Sequence, residues 1–337
     1  MTSSYLAYGL RLRSDVPIPG LSPTQTAEVD VAVWFTEQWI FDDVTNETAD
    51  PFFPESWEDD SREPTLKAWR LAKNFGYRLK YCDGIEFIID ASGAEIWCCC
   101  PAAMTIEDVV VYLLGPVLGF VLRLRGRTCL HASVVCIDDQ AVALVGPGGS
   151  GKSTTAAAFV QLGWPILTDD VAAITFEESA FFIQPAYPHV RLWPKSVMML
   201  FGHAEALPRL VPVGTWDKCY LDLVNKPELF QTTQLPLRAV YVLGERSETN
   251  RTASIEVLSQ AEGMMALIAN TYANYLLSRS LRGEEFRVLT SIVGATPIKK
   301  ITPNSDLNRL PELCELIISD FRHSVGGRRK SFEAVLS

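Results

Sequence analysis

A glycine-rich nonapeptide, Gly146-Pro147-Gly148-Gly149-Ser150-Gly151-Lys152-Ser153-Thr154, limits what this chain can fold into more than any other feature. It satisfies the phosphate-loop pattern, in which a first glycine is followed after four residues by Gly-Lys-Ser. Upstream, residues 141–145 form a short apolar run containing β-branched valines, and downstream 154–162 read as an alanine-rich helix stopped by Gly163. Strand, glycine loop and helix in this order predict an α/β unit with the loop at a helix N-terminus. The glycines let successive backbone N–H groups converge on phosphate oxygens, and the helix dipole favours negative charge there. Gly146, Gly148, Gly149, Ser150, Gly151, Lys152, Ser153 and Thr154 are therefore expected to bind a nucleotide. Lys152 would reach the terminal phosphates, and the Ser153 hydroxyl would hold Mg²⁺. ATP is the default nucleotide, since a phosphate loop does not encode the base.

The whole-chain balance excludes several function classes. With 337 residues the chain can form one large domain or two ordinary ones. Lys plus Arg number 30 against 40 for Asp plus Glu, a formal charge of −10 that provides no broad footprint for nucleic acid or an anionic membrane. No basic region followed by an apolar core opens the sequence, so no export is expected. The longest uncharged stretch, 109–122, has 14 residues and contains Gly115-Pro116 and Gly119. A spanning helix needs about 20 apolar residues, so no stable membrane insertion is expected. The stretch predicts a buried, kinked helix instead, capped by Thr105, with Glu107 and Asp108 in its first turn and Arg123, Arg125 and Arg127 near Gly126 at its end. Eight cysteines, three of them consecutive at 98–100, form no CxxC pair and no disulfide-like spacing, which predicts buried free thiols in a reducing cytoplasm.

Along the chain, short β-like runs recur at 29–35, 66–71, 77–81 and 86–89. They are broken by Pro17-Ile18-Pro19-Gly20, by the acidic, proline-containing stretch 50–64 and by Asp83-Gly84. Residues 42–60 predict a solvated loop. Beyond the phosphate-loop helix, strands are expected near 181–183, 238–243 and 255–258. Ser259-x-x-Glu262 predicts a capping box for a helix running to about Arg282 with Gly283 as its stop, and another helix is expected over 311–321. The basic segment Gly326-Gly327-Arg328-Arg329-Lys330 reads as a frayed, solvated terminus.

Two further positions gather around the loop. Asp169 and Asp170 follow the apolar segment 165–167 and so lie at the carboxyl end of the strand that returns after the phosphate-loop helix. One would hold Mg²⁺, assigned to Asp169, and the other would accept a proton from an attacking hydroxyl, assigned to Asp170. The runs 128–137 and 141–145 are separated by Asp138-Asp139-Gln140, a hairpin length. Pairing Ile137 with Ala141 sets His131 opposite Pro147, at the mouth of the loop, where it would contact the transferring phosphoryl group or tune the aspartate.

His131 lies 21 residues before Lys152, and Asp170 lies 18 residues after it. In this combination the chain resembles the HPr serine kinase/phosphorylase family, in particular its shorter relatives that accompany peptide natural-product clusters. The likeness is strongest from Thr128 to Val171. It extends through Tyr5-Leu6-Ala7-Tyr8-Gly9-Leu10, His131-Ala132-Ser133 and Tyr187-Pro188-x-x-Arg191-Leu192-Trp193-Pro194 to the HPr-kinase-like proteins of lasso-peptide clusters. The resemblance implies an α/β fold with a P-loop nucleotide-binding domain of the HPr kinase C-terminal type and an N-terminal β-rich region. On that reading residues 1–104 are the β-rich region, 105–325 the P-loop kinase domain with helix 105–125 as connection, and 326–337 the basic tail. His131, Lys152 and Asp170 take the family's active-site roles, with Asp170 as base on a serine.

Thr154 stands where HPr kinases carry glutamate, and the downstream glutamate motif that helps hold magnesium has no clear match. The resemblance therefore implies the C-terminal serine of a ribosomal peptide as acceptor rather than HPr. Arg191 and Lys195 are candidates for binding phosphate or a substrate carboxylate. A small-metabolite kinase and a nucleotide-dependent sensor are the alternative readings. Asn225-Lys226-Pro227-Glu228 lacks the aspartate of a guanine-reading motif, and no LSGGQ-like segment supports a transport ATPase. HPr kinases form hexamers; a homo-oligomer is left open here.

Overall fold

The computed structural model describes residues 2–36, 50–51, 65–71, 74–211, 217–246 and 252–333. The fold is mixed α/β. Its first half follows from alternation: in Leu10–Ser14 the side chains of Leu10, Leu12 and Ser14 are buried and those of Arg11 and Arg13 are not. Nine strands make one sheet, β1 (Ser3–Ala7), β2 (Leu10–Ser14), β3 (Pro23–Thr24), β4 (Val31–Thr36), β5 (Asp50–Pro51), β6 (Leu66–Arg70), β7 (Gly76–Tyr81), β8 (Glu86–Asp90) and β9 (Glu95–Cys99). Their order is β3-β1-β2-β4-β9-β8-β7-β6-β5. The stretch 42–60 lies outside the described residues except for Asp50 and Pro51, which pair with Arg70 and Trp69. Of the cysteines, five are buried, Cys99 and Cys100 are half-buried and Cys82 is exposed, so the expectation of buried thiols fails at Cys82, beside a turn.

The uncharged stretch after this sheet is helical throughout, as α1 (Ile106–Tyr112), a π-helical segment (Leu113–Val117) and α2 (Leu118–Leu124). Thr105 caps it in a capping box with Asp108. Pro116 has no N–H to give, and the ladder widens around it, with the Leu118 N–H reaching Leu113 O. The helix packs into one core with Tyr5, Leu79, Phe87 and Ile89 of the first sheet and with Val171, Ala173 and Tyr187 of the second half. Among the described residues no helix is long and apolar enough to cross a membrane.

The second half is built on β10 (Thr128–Ile137), β11 (Gln140–Val145), β12 (Ile166–Thr168), β13 (Val171–Glu177), β14 (Ala180–Ile183), β15 (His189–Leu192), β16 (Cys219–Asp222), β17 (Leu235–Leu243), β18 (Ser254–Val257) and β19 (Ile298–Thr302). Strands β11, β10, β13, β14 and β17 form a closed ring of pairings, extended by β19 and β18. β10 carries β11 on one edge, along 132–137, and on the other β13 along 128–131 followed by β12 at 134–135. β11 is covered on both faces, Val142 and Leu144 by one core and Ala141, Ala143 and Val145 by another. α3 (Lys152–Gln161) packs beneath the first of these, its three consecutive alanines allowing close approach. The helices α4 (Pro194–Phe201), α5 (Gln260–Ala269), α6 (Arg279–Ala295) and α7 (Leu310–Glu333) complete the fold.

Three expectations are corrected. The β10–β11 turn has two residues, Asp138 and Asp139, both at positive φ, so Ile137 pairs with Gln140 and the register shifts by one. The capping box at Ser259 is present, but the helix stops at Asn270, where the chain turns to bond β10, and Gly283 lies inside the separate helix α6. α7 continues through Gly326-Gly327 to Glu333, so the backbone expected to fray is helical.

His189 in β15 rests against Tyr220 and close to Gly20, where an added Cβ would stand 2.7 Å from its ring. Burial holds its pKa down at about 4, against the pull of Asp222 at 3.5 Å. The unfolded chain takes up this proton near the ordinary value of 6.5, so native stability falls as pH drops from there through about 4. The total loss is on the order of 3 kcal/mol. His189→Gln should flatten this slope when urea midpoints are compared across that window; an unchanged slope would place the proton uptake elsewhere.

Candidate functional site

β11 runs directly into the glycine-rich loop 146–151, and the loop's shape depends on glycine at two points. At Gly146, φ is +150° and an added Cβ would stand 2.8 Å from Leu243 O; at Gly151, which caps α3, φ is +99°. No side chain caps α3, so the N–H groups of its first turn face the space enclosed by the loop. The loop is braced from below by Asn270, whose Oδ1 accepts the Gly146 N–H at 2.9 Å. Lys152 is buried and donates from Nζ to Gly146 O (2.6 Å) and Pro147 O (3.2 Å). Burial lowers its pKa, opposed by Asp169 and Asp170.

His131 and Asp170 meet where two residues separate β12 from β13 along the edge of β10. His131 pairs with Val171, and the Ala132 N–H donates to Asp170 O at 3.2 Å. His131 Nδ1 lies 3.0 Å from Asp170 O and 3.1 Å from Asp170 Oδ1. Both partners are acceptors, so Nδ1 carries the proton and Nε2 is the nitrogen left to other contacts. Asp170 sits at φ +81°, in the left-handed region that aspartate tolerates better than most residues. Burial pushes its pKa up, but His131 and Arg191 outweigh burial and hold the carboxyl well below the usual range. Asp169 points the other way and is more deeply buried. Its Oδ1 accepts from Ser133 Oγ at 2.5 Å and its Oδ2 from the Arg191 N–H at 2.9 Å.

Arg191, expected to present its fork to a ligand, is only 7 % exposed. Its guanidinium lies 3.5 Å from Asp170 Oδ2, donates to Val111 O at 3.2 Å and stands over the Tyr187 ring. The π-helical segment makes this fit: Gly115 faces the guanidinium so closely that an added Cβ would be 3.2 Å from it. Lys195 is not brought to this cluster; it is exposed on the first turn of α4. Thr154 shares a 2.8 Å hydrogen bond with Ser196, joining α3 to that turn.

Several residues at the site were not singled out from sequence. Tyr272 donates to Asp170 Oδ2 at 3.4 Å and stacks near His131. Ser133 and Asn270 hold Asp169 and Gly146, and His131 N–H donates to Asn270 O at 2.7 Å. Lys218 lies over the exposed Trp193 ring, 5.0 Å from its centre, and its charge acts on both Lys152 and Asp170. Of these only Ser133 carried a sequence signal, within His131-Ala132-Ser133; the rest arrive through long-range packing.

No family model matches the chain, and no curated protein does. Among solved structures, the HPr(Ser) kinase/phosphatase from Coxiella burnetii is similar at 14 % identity, over 61 % of this chain and 96 % of that chain, with a TM-score of 0.35.

Gly119 of α2 lies flat against the Tyr272 ring, with which any Cβ would collide. Gly119→Ala should therefore push Tyr272 away from Asp170 and destabilise the protein by about 1–3 kcal/mol, read from denaturant unfolding. The double variant Gly119→Ala, Tyr272→Ala should recover part of that loss; no recovery would rule out this contact as the source.

Proposed function

We propose that this protein is a phosphotransferase that moves the γ-phosphoryl group of ATP to a serine hydroxyl, the C-terminal serine of a ribosomally made peptide. The observation that carries the reading is the Asp170 carboxylate, held by His131, Arg191 and Tyr272 beside a phosphate loop with its buried lysine. The loop fits a triphosphate. Added Cβ atoms at Gly148 and Gly149 would meet nothing within 4 Å, and the buried Ser150 Oγ has no partner among the described residues. No cluster of three or more acidic, His or Cys side chains among the described residues forms a dedicated metal cage. That suits Mg²⁺, which binds through one or two protein groups together with phosphates and waters. Ser153 would hold it directly, and Asp169, with a donor already on each oxygen, through water. Magnesium there supplies charge neutralisation on the β- and γ-phosphates.

The roles then follow from position. The loop N–H groups and Lys152 hold the phosphates, and Asp170 orients the acceptor hydroxyl and takes its proton. An aspartate kept ionised well below neutral pH is a weak base, which matches a loose transition state where the proton leaves late. His131 fixes the carboxylate through Nδ1–H and presents Nε2 towards the transferred group.

An open surface favours a peptide over a small metabolite. Trp193, just before α4, and Met198 on it are about half exposed, Lys195 lies between them in sequence, and Lys218 flanks Trp193. A terminal carboxylate suits Lys218, whose charge reaches Asp170, and an aromatic platform suits the residues before it.

Mass spectrometry of a serine-terminated precursor peptide and of HPr, each incubated with ATP and Mg²⁺, tests the reading. Wild type should add phosphate to the peptide's terminal serine. Asp170→Asn should lower the rate by at least about 10²-fold while ATP affinity changes little. Retained transfer by Asp170→Asn would remove it as base, and phosphate on neither acceptor would turn the search to metabolites.

A further inference from the structure

The last glycine of the phosphate loop touches a second feature. A guanidinium nitrogen of Arg246, just beyond β17, lies 3.2 Å from where a Cβ on residue 151 would stand, and the other donates to Asn304 O at 3.0 Å. Among the described residues no carboxylate pairs with Arg246, and burial lowers its pKa with no anion to offset it. Behind it opens a cavity of about 180 Å³, with Asn304 and Arg309 among its polar walls and Ala253, Leu310 and Leu313 among its apolar ones. The strands leading to it, β17 and β19, run parallel to β11, so cavity and phosphate loop share one carboxyl edge.

We infer that this cavity receives the nucleoside of the triphosphate, with Arg246 seated on the phosphate nearest the sugar; the inference rests on the nucleotide reading above. The size suits a base, being below the range of about 300–1,000 Å³ for drug-sized ligands. Leu310 and Leu313 offer an apolar wall to the faces of a ring. Arg309 is held by Glu312 through Nε at 3.0 Å, which orients its planar guanidinium at the rim to stack on or hydrogen-bond the base edge. A cation with no carboxylate partner beside the first turn of α3 matches a phosphate already partly bound by that helix.

Calorimetric titration of Mg·ATP and of Mg·tripolyphosphate into wild type, Ala253→Phe and Arg309→Ala separates the possibilities. Wild type should bind ATP more tightly than tripolyphosphate. Ala253→Phe, which fills the cavity, should lose more than about tenfold in ATP affinity while tripolyphosphate binding is unchanged, and Arg309→Ala should move the ratio the same way. Arg309→Ala alters only the rim, so it decides the matter should Ala253→Phe not fold. A wild-type ratio of the two affinities in both variants would overturn the cavity assignment and leave the nucleotide reading intact. Binding of neither ligand by wild type would overturn both.

Discussion

The buried charge of Arg191 is the constraint on which much of this structure depends. A guanidinium taken out of water must be given acceptors and an anion, or the fold loses several kcal/mol. Here the partners come from separate parts of the chain: the carboxylate of Asp170 between β12 and β13, the carbonyl of Val111 in α1, and the ring of Tyr187 before β15. Tyr187 in turn packs edge-on against Tyr8, whose hydroxyl donates to Leu114 O in the π-helical segment. Partnering this one charge, whose Nε is left without an acceptor among the described residues, thus ties the first sheet, the long helix and the second half of the chain together at one point. The candidate site stands directly on that junction.

Architecture explains why His131 and Asp170 meet. β10 is flanked on one edge by β11 and on the other by β13 and then β12, which lie end to end with Asp169 and Asp170 between them. Two residues interrupt the strand there, which leaves the Asp170 carboxylate beside the partly exposed His131 ring. The break between β12 and β13, which run on in the same direction, takes a left-handed residue, and that residue is an aspartate. Backbone conformation and carboxylate placement are therefore set by the same residue, which keeps Asp170 from drifting relative to His131.

Local signals were legible and distant ones were not. The cap at Thr105, the capping box at Ser259 and the strand at 86–89 could be read because propensity, capping and periodicity act over a few residues. The hairpin was read one residue too long because three polar residues, Asp138-Asp139-Gln140, left the turn type undetermined, and only the paired left-handed aspartates resolve it. The end of α5 was missed because Asn270 is stopped by bonds to β10, more than 130 positions earlier in sequence. Arg191 looked like a surface fork because nothing in its neighbourhood announces a buried partner; Val111 and Asp170 are 80 and 21 residues away. Lys218 and Tyr272 carry no motif at all. Where a site is assembled from tertiary contacts, its supporting residues leave little local trace.

The π-helical segment sets the rotational phase of everything after it. Each residue of an α-helix turns the next by about 100°, so removing one residue from 113–117 would let the ladder close regularly but swing α2 round its axis by that angle. Gly119 would leave the Tyr272 ring, and Arg123 would leave Glu285, the buried partner on α6 to which it now donates. The widened turn works as a spacer between two helical halves that each face a different partner. Its length is therefore fixed by both ends at once.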